Sequence, residues 1–284
     1  MANILFLYDH RSDLAALSGG DWLVGLPLAN LQRPEIYTVA RSADADPEST
    51  IIHVDMPSPH DARAIVLGPS NLTTGYRRRI RAYADSARTT LMHDSGWSVG
   101  TARAPWNTLD WSDAAFWTGL PAWNDVERRL WLVYLLPDAV VSRYWTIEID
   151  DADNPDGYVE FGRLLISRYW QPSINFAYQG NGLSFSDNSL QSSTLSGGKT
   201  VWRRVNPRTF QCSFDTLPED ELFRRAYDFQ RISGFDGQVF LIPDPEDADF
   251  LDRRAFLATA SRLDAISQNA FLRGTTAFEF REVI

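Results

Sequence analysis

Ile51-Ile52-His53-Val54-Asp55-Met56 and Ala64-Ile65-Val66-Leu67-Gly68, set apart by Pro57, Ser58 and Pro59, carry the fold of this chain. Both segments are short, rich in residues that favour extended backbone and bounded by turn formers, which is the signature of strands. Working outward, the same grammar repeats. Arg77 to Tyr83 alternates Arg79, Arg81 and Tyr83 against Ile80 and Ala82, the period-two pattern of a half-exposed strand. Residues 129 to 136 make an apolar strand that Pro137 should stop, and Ser142 to Asp150 sets Tyr144, Thr146 and Glu148 against Trp145, Ile147 and Ile149. Val159 to Tyr169 adds another strand, and Asn3 to Asp9 suits a buried one. Between these, Gly19, Gly20, Gly25, Pro27 and Pro34 make residues 18 to 40 irregular. Roughly seven or eight short strands with turns between them read as an antiparallel β-sandwich of jelly-roll type.

The pattern changes after Ser173. From there to Thr200 the chain is rich in Ser, Asn, Gln and Gly, as an exposed loop or long hairpin would be. The remainder reads as strand Thr209 to Phe214, a helix from Leu217 to about Ile232, strand Gly237 to Ile242, an acidic loop at Asp244 to Asp249 and two closing strands. Thr216-Leu217-Pro218-Glu219 fits a capping box, with Leu222, Phe223, Ala226, Tyr227 and Phe229 as one broad apolar face. Leu222, Phe223 and Tyr227 are therefore expected in the core. The expected organisation is mainly β: a sandwich over 1–175, a polar loop or long hairpin over 176–204, and a smaller β domain carrying one helix over 205–284.

Composition narrows the function. Of 284 residues 44% are hydrophobic and 13% aromatic, with ten Trp, an ordinary globular balance weighted toward sheet. A net charge of −10 disfavours nucleic-acid binding. Lys199 is the only lysine, and the lone Cys212 excludes an internal disulfide and any cysteine-based zinc cluster. No run approaches the length of a membrane-spanning helix, and no signal-peptide pattern begins the chain.

The chemistry-bearing motifs are weak. Ser196-Gly197-Gly198-Lys199-Thr200 resembles the end of a phosphate-binding loop, but Ser193 stands where the upstream glycine is required. Asp150 to Gly157 gathers oxygen ligands suited to Ca²⁺, but an EF-type spacing would put Ala152 at the first ligand position, so an Asx-rich hairpin turn competes with a metal site. His10, His53, His60 and His93 show no metal-ligand spacing, and no Gly-x-Ser-x-Gly elbow occurs. No pair of carboxylates is singled out for glycoside hydrolysis. Trp97, Trp106, Trp111, Trp117 and Trp123 crowd a stretch without periodicity. They suit either core and subunit contacts or stacking on sugar rings, with Trp106, Trp111 and Trp117 the candidates. The expectation is a non-enzyme without cofactors.

Several stretches resemble siphophage tail-tip and baseplate proteins of the distal-tail kind. They are Leu28-Ala29-Asn30-Leu31 followed by Ala40-Arg41-Ser42, Gly68-Pro69-Ser70-Asn71-Leu72 before Arg77 to Tyr83, and Tyr144-Trp145-Thr146-Ile147-Glu148-Ile149. Asp156-Gly157-Tyr158-Val159-Glu160-Phe161-Gly162-Arg163 and Trp170-Gln171-Pro172 continue the likeness. The resemblance covers about two-thirds of the chain and rests on structural rather than catalytic motifs. It implies a discoidin-type, galactose-binding-like sandwich followed by a tube-related, belt-like domain. It further implies a homo-oligomeric ring, hexamer or trimer, around the tail channel of a virion, with other tail proteins as partners. A carbohydrate-binding module recognising host-surface glycans is the alternative.

Overall fold

The computed structural model describes residues 2–100, 111–112, 130–193, 197–247 and 250–284. It is mainly β, as the alternation predicts, and divides into two compact units. One comprises residues 10–169 with 247–252; the other comprises residues 1–9, 170–246 and 253–284. Residues 1–9, which the sequence reading assigns to the sandwich, thus belong with the C-terminal part of the chain.

Strand β1 (Leu5–His10) opens the chain. The sandwich unit follows with β2 (Ala16–Ser18), β3 (Ala40–Arg41), β4 (Ile52–Ser70), β5 (Arg77–Tyr83), β6 (Leu91–Asp94), β7 (Ser98–Val99), β8 (Leu130–Asp150) and β9 (Glu160–Trp170). Within it β9, β4, β8, β5 and β6 are successive neighbours, while β2 joins β4, β3 joins β9 and β7 joins β5.

The prolines expected to end strands instead bend them. β4 runs on through Pro57-Ser58-Pro59 and β8 through Pro137, and their mutual register slips between Asp55 and His60 and again between Ala62 and Ala64. The first half of β4 pairs with β2 and with the second half of β8, which also pairs with β5; its second half pairs with the first half of β8 and with β9. Two long strands bent by bulges thus serve both layers, the way sandwich corners are turned. Pro is tolerated because the bends are exposed and lack ladder bonds. Arg63 supplies donors there, bonding the carbonyls of Leu136 at 2.8 Å and of Pro137. Ile52, Val54, Ile65, Leu67, Ile80, Trp145, Ile147, Phe161, Leu164 and Ile166 fill one core.

The second unit contains β1 together with β10 (Gly182–Phe185), β11 (Leu190–Ser193), β12 (Lys199–Trp202), β13 (Arg208–Pro218), β14 (Gln238–Ile242), β15 (Phe256–Leu263), β16 (Ser267–Ala270) and β17 (Arg273–Glu282). Its sheet has the order β10-β13-β17-β15-β14-β1, antiparallel at each pairing, with β16 beside β17. A helical segment packs against this sheet: α1 (Glu219–Glu221), a π-helical turn (Leu222–Ala226) and α2 (Tyr227–Ser233). Phe6 stacks on Trp170 at 5.2 Å between ring centroids, and Phe229 meets Phe278 edge-on at 5.3 Å. Cys212 is buried in this core, where burial pushes its thiol pKa up, so it acts as a small apolar side chain.

The helix corrects the sequence reading in two respects. β13 continues through Thr216 and Leu217, so the helix starts at Glu219 with Pro218 as its cap residue and no side-chain cap; Glu219 instead accepts a bond from Gln268 at 2.7 Å. Leu222, Ala226, Phe229 and Ser233 are buried, whereas Phe223 and Tyr227 are 48% and 51% exposed. A helix on a flat sheet buries one narrow stripe at spacings of three and four, and a residue one position further lies about 100° round. Of the three predicted helix core residues only Leu222 is one.

Candidate interaction surface

The polar stretch after Ser173 contains two successive strand pairings, the first of them fixed in the sheet. β10 pairs with β13 from Gly182 opposite Gln211 to Phe185 opposite Arg208, anchoring the base in the sheet. Beyond it the two legs pair again as β11 and β12, forming a separate two-stranded arm with Leu190 opposite Trp202 and Gln191 opposite Val201. Every residue of β11 and β12 is exposed. Two strands alone are marginally stable in water, and Leu190, Val201 and Trp202 have no core to enter. The arm root is polar: Ser186 bonds the carbonyl of Pro207 at 3.0 Å, and Arg281 reaches Asn188 at 2.8 Å.

Exposed apolar side chains collect elsewhere on this unit too. Phe185 lies at the arm root, and Phe271 and Leu272 occupy the turn between β16 and β17. Leu272 has φ of +56°, a conformation that β-turns normally give to Gly or Asn. Phe271 is 90% exposed, the most solvent-accessible Phe among the described residues.

The outer sheet surface of the sandwich unit is different. On β5, Arg79 forks onto Asp94 at 2.9 Å through Nε, Arg81 pairs with Glu148 and Arg77 with Asp150. The Arg79 guanidinium holds the Asp94 carboxyl down at about 2. The turn from Asp150 to Gly157 is tied to the neighbouring loop: Asp151 accepts from the Thr73 amide at 2.9 Å and from Asn154 at 2.8 Å, while Asn71 bonds Asp156 at 2.9 Å. Its side-chain oxygens therefore do the work of an Asx turn. Among the described residues no three of His, Cys, Asp and Glu gather as metal ligands would, and no helix is long and apolar enough to cross a membrane.

Of the tryptophan candidates, Trp106 and Trp117 lie outside the described residues and Trp111 is exposed. Trp97 is the better placed one. It is 39% exposed, and the Arg77 guanidinium carbon sits 5.5 Å from its ring centroid while the same guanidinium lies 3.6 Å from Asp150. Sequence reading grouped Trp97 with its neighbours but could not see Arg77, which pairing of β5 with β7 brings across from twenty residues away.

A scan against protein-family models and a search of curated proteins found no match. Among solved structures, the chain is similar to the family 32 carbohydrate-binding module of Clostridium perfringens NanJ in complex with galactose, at 13% identity over 58% of this chain and 99% of that one, TM-score 0.38. It is also similar to a module of the same family from a Clostridium perfringens family 31 glycoside hydrolase, at 11% identity over 57% of this chain and 99% of that one, TM-score 0.37. A fucolectin from striped bass (Morone saxatilis) serum is similar at 9% identity over 82% of this chain and 68% of that one, TM-score 0.37.

Proposed function

We propose that this protein is a non-catalytic building block of a bacteriophage tail tip or baseplate, one that joins an oligomer through its C-terminal β unit. The observation that carries the assembly role is the hairpin arm, a two-stranded projection that exposes Leu190, Val201 and Trp202. Monomeric proteins seldom expose apolar side chains on so slender an element, whereas subunits awaiting a neighbour do. The tail location is supported by the resemblance of residues 28–31, 40–42, 68–72, 77–83, 144–149, 156–163 and 170–172 to distal-tail proteins. A net charge of −10 suits a channel component, because carboxylates do not retain passing DNA. Immunogold electron microscopy of virions of the encoding phage tests the location: gold at the distal tail end is expected, and unlabelled tails with an antibody that binds the native protein would overturn it.

A second reading has its own observation. Trp97 beside Arg77 and Asp150 offers an aromatic surface next to a donor and an acceptor, the combination that grips a sugar ring. On this reading the sandwich unit recognises host-surface glycans. Selective binding on a glycan array that Trp97→Ala removes would favour it; an array on which the protein binds nothing would leave the scaffold role alone.

A further inference from the structure

We propose that His93 and Tyr134 form an acid-sensitive clasp between the two layers of the sandwich at its β6 edge, and that protonation of His93 releases that edge strand. The clasp goes beyond the assembly role proposed above and does not depend on it.

β6 is four residues long and ends its sheet, with β5 as its partner among the described strands. Arg81 stands opposite Asp94, Ala82 opposite His93 and Tyr83 opposite Leu91, with the register slipping after Ala82. Residues directly opposite one another project from the same face. Ala82 belongs to the core, so His93 turns inward with it, while Asp94 turns outward to its pair with Arg79. Tyr134 reaches the same place from the other layer. It lies on the first half of β8 between the core residues Leu132 and Leu136, opposite Ile65. His93 Nε2 is 2.9 Å from the Tyr134 hydroxyl. Beside it Arg78, on the inward face of β5 with Ile80, donates through Nη1 to the Val133 carbonyl at 2.7 Å. Its guanidinium carbon is 5.2 Å from the Tyr134 ring centroid. Two side chains of one layer thus hold adjacent residues of the other, and of the two only His93 titrates near neutral pH.

The charges around the clasp decide what a proton does there. Arg78 and the buried Tyr76 face it from β5 and the loop before it, Tyr134 from β8, and Asp252 lies near Arg78 from the segment 247–252. Asp94 attracts a charge on His93, but it is held by Arg79 on the opposite face of the strand. Burial outweighs that attraction and lowers the His93 pKa below 6.5. A protonated ring carries a charge and two N–H donors, and among the described residues no carboxylate bonds it. Water is the remaining partner, and fraying a short edge strand is the least costly way to admit it. Because the folded pKa is below the unfolded one, the clasp contributes fully above pH 6.5 and weakens as pH falls below that value. Asp252 acts in the opposite direction, since its raised pKa favours the folded state at low pH. A global melt would therefore mix the two effects, and a local probe is needed.

Hydrogen exchange of the peptide spanning β6, corrected for the intrinsic effect of pH, supplies that probe at about pH 7.5 and about pH 5. In the wild-type chain protection of β6 should fall by about tenfold at the lower pH, the change that one unit of pKa difference between closed and open forms produces. His93→Gln keeps a hydrogen-bonding group for Tyr134 but takes up no proton, so its β6 protection should be the same at both values. Tyr134→Phe removes the grip and should loosen β6 at pH 7.5 already. Asp252→Asn should leave the acid response in place. Unchanged wild-type protection at pH 5, or a His93→Gln variant that responds as the wild type does, would overturn the clasp. So would loss of the response in Asp252→Asn, which would make that carboxyl the trigger.

Discussion

The outer sheet of the sandwich unit and the arm of the C-terminal unit are both polar in sequence and both carry arginines, yet they use them differently. On the sandwich, Arg79, Arg81, Arg77 and Arg143 are matched by Asp94, Glu148, Asp150 and Asp55 from neighbouring strands, and Arg163, itself buried, forks onto Asp13. On the arm, Lys199, Arg203 and Arg204 stand exposed around Val201 and Trp202. A surface whose cations meet their own acids gains little by docking, because each pair would have to be desolvated. A surface that keeps apolar groups and an excess of one sign of charge in water has both to gain from a partner. Charge pairing, rather than charge content, distinguishes a finished surface from an interface.

The contrast is sharpest within the C-terminal unit itself. Phe229→Asp should unfold that unit, costing on the order of 4 kcal/mol or more, because it places an unpaired carboxylate among Phe6, Trp170 and Phe278. Tyr227→Asp, two residues away, should change stability by no more than about 1 kcal/mol. Urea denaturation of both would decide it, and equal losses would mean that the helix buries a wider face than the narrow stripe described.

A smaller loss is expected where an ion pair is structural rather than superficial. Arg208 is buried and bonds Glu282 at 2.9 Å through Nε and the Arg253 carbonyl at 2.9 Å. Glu282→Ala leaves that guanidinium without its carboxylate and should cost about 3 kcal/mol. In thermal melts the loss should persist at high salt, since burial limits screening. A loss that salt abolishes would place this pair with the surface ladder.

The least expected effect is a gain. In the segment 247–252 that clusters with the sandwich, burial pushes the Asp252 carboxyl up to about 6, against the pull of Arg78. A carboxyl whose folded pKa exceeds its unfolded value of 3.8 binds its proton more tightly when folded, so its contribution is full below about pH 4 and is lost as pH rises through 6. Asp252→Asn should therefore stabilise the protein by about 1–3 kcal/mol at neutral pH and by nothing at pH 4. A variant equally stable to wild type at both pH values would show that Asp252 is charged and solvated.

Alternation along single strands was readable without structure. Ile80 and Ala82 against Arg79 and Arg81, or Trp145, Ile147 and Ile149 against their neighbours, face as the period of two requires, because side-chain direction in a strand is a local property of the backbone. The polar composition of residues 176–204 likewise marked an exposed loop or hairpin. The candidate surface was only half visible: an exposed segment could be read, but not that its base is clamped in a sheet while Leu190 and Trp202 face each other beyond it.

What the sequence by itself determined is the class of each segment: strands rather than helices, one helix near residue 220, a chain without a disulfide, and an acidic whole with a basic stretch at 199–204. Tertiary structure decided the rest. It turned pairs of short strands into two long bent ones, moved residues 1–9 to the unit built from the far end of the chain, and put Phe223 and Tyr227 outside. The physical reason is range. Backbone propensity and side-chain alternation act within a few residues, whereas burial, register slips and the pairing of Arg77 with Trp97 or Arg208 with Glu282 depend on partners twenty to seventy-four positions away, which only the folded chain brings together.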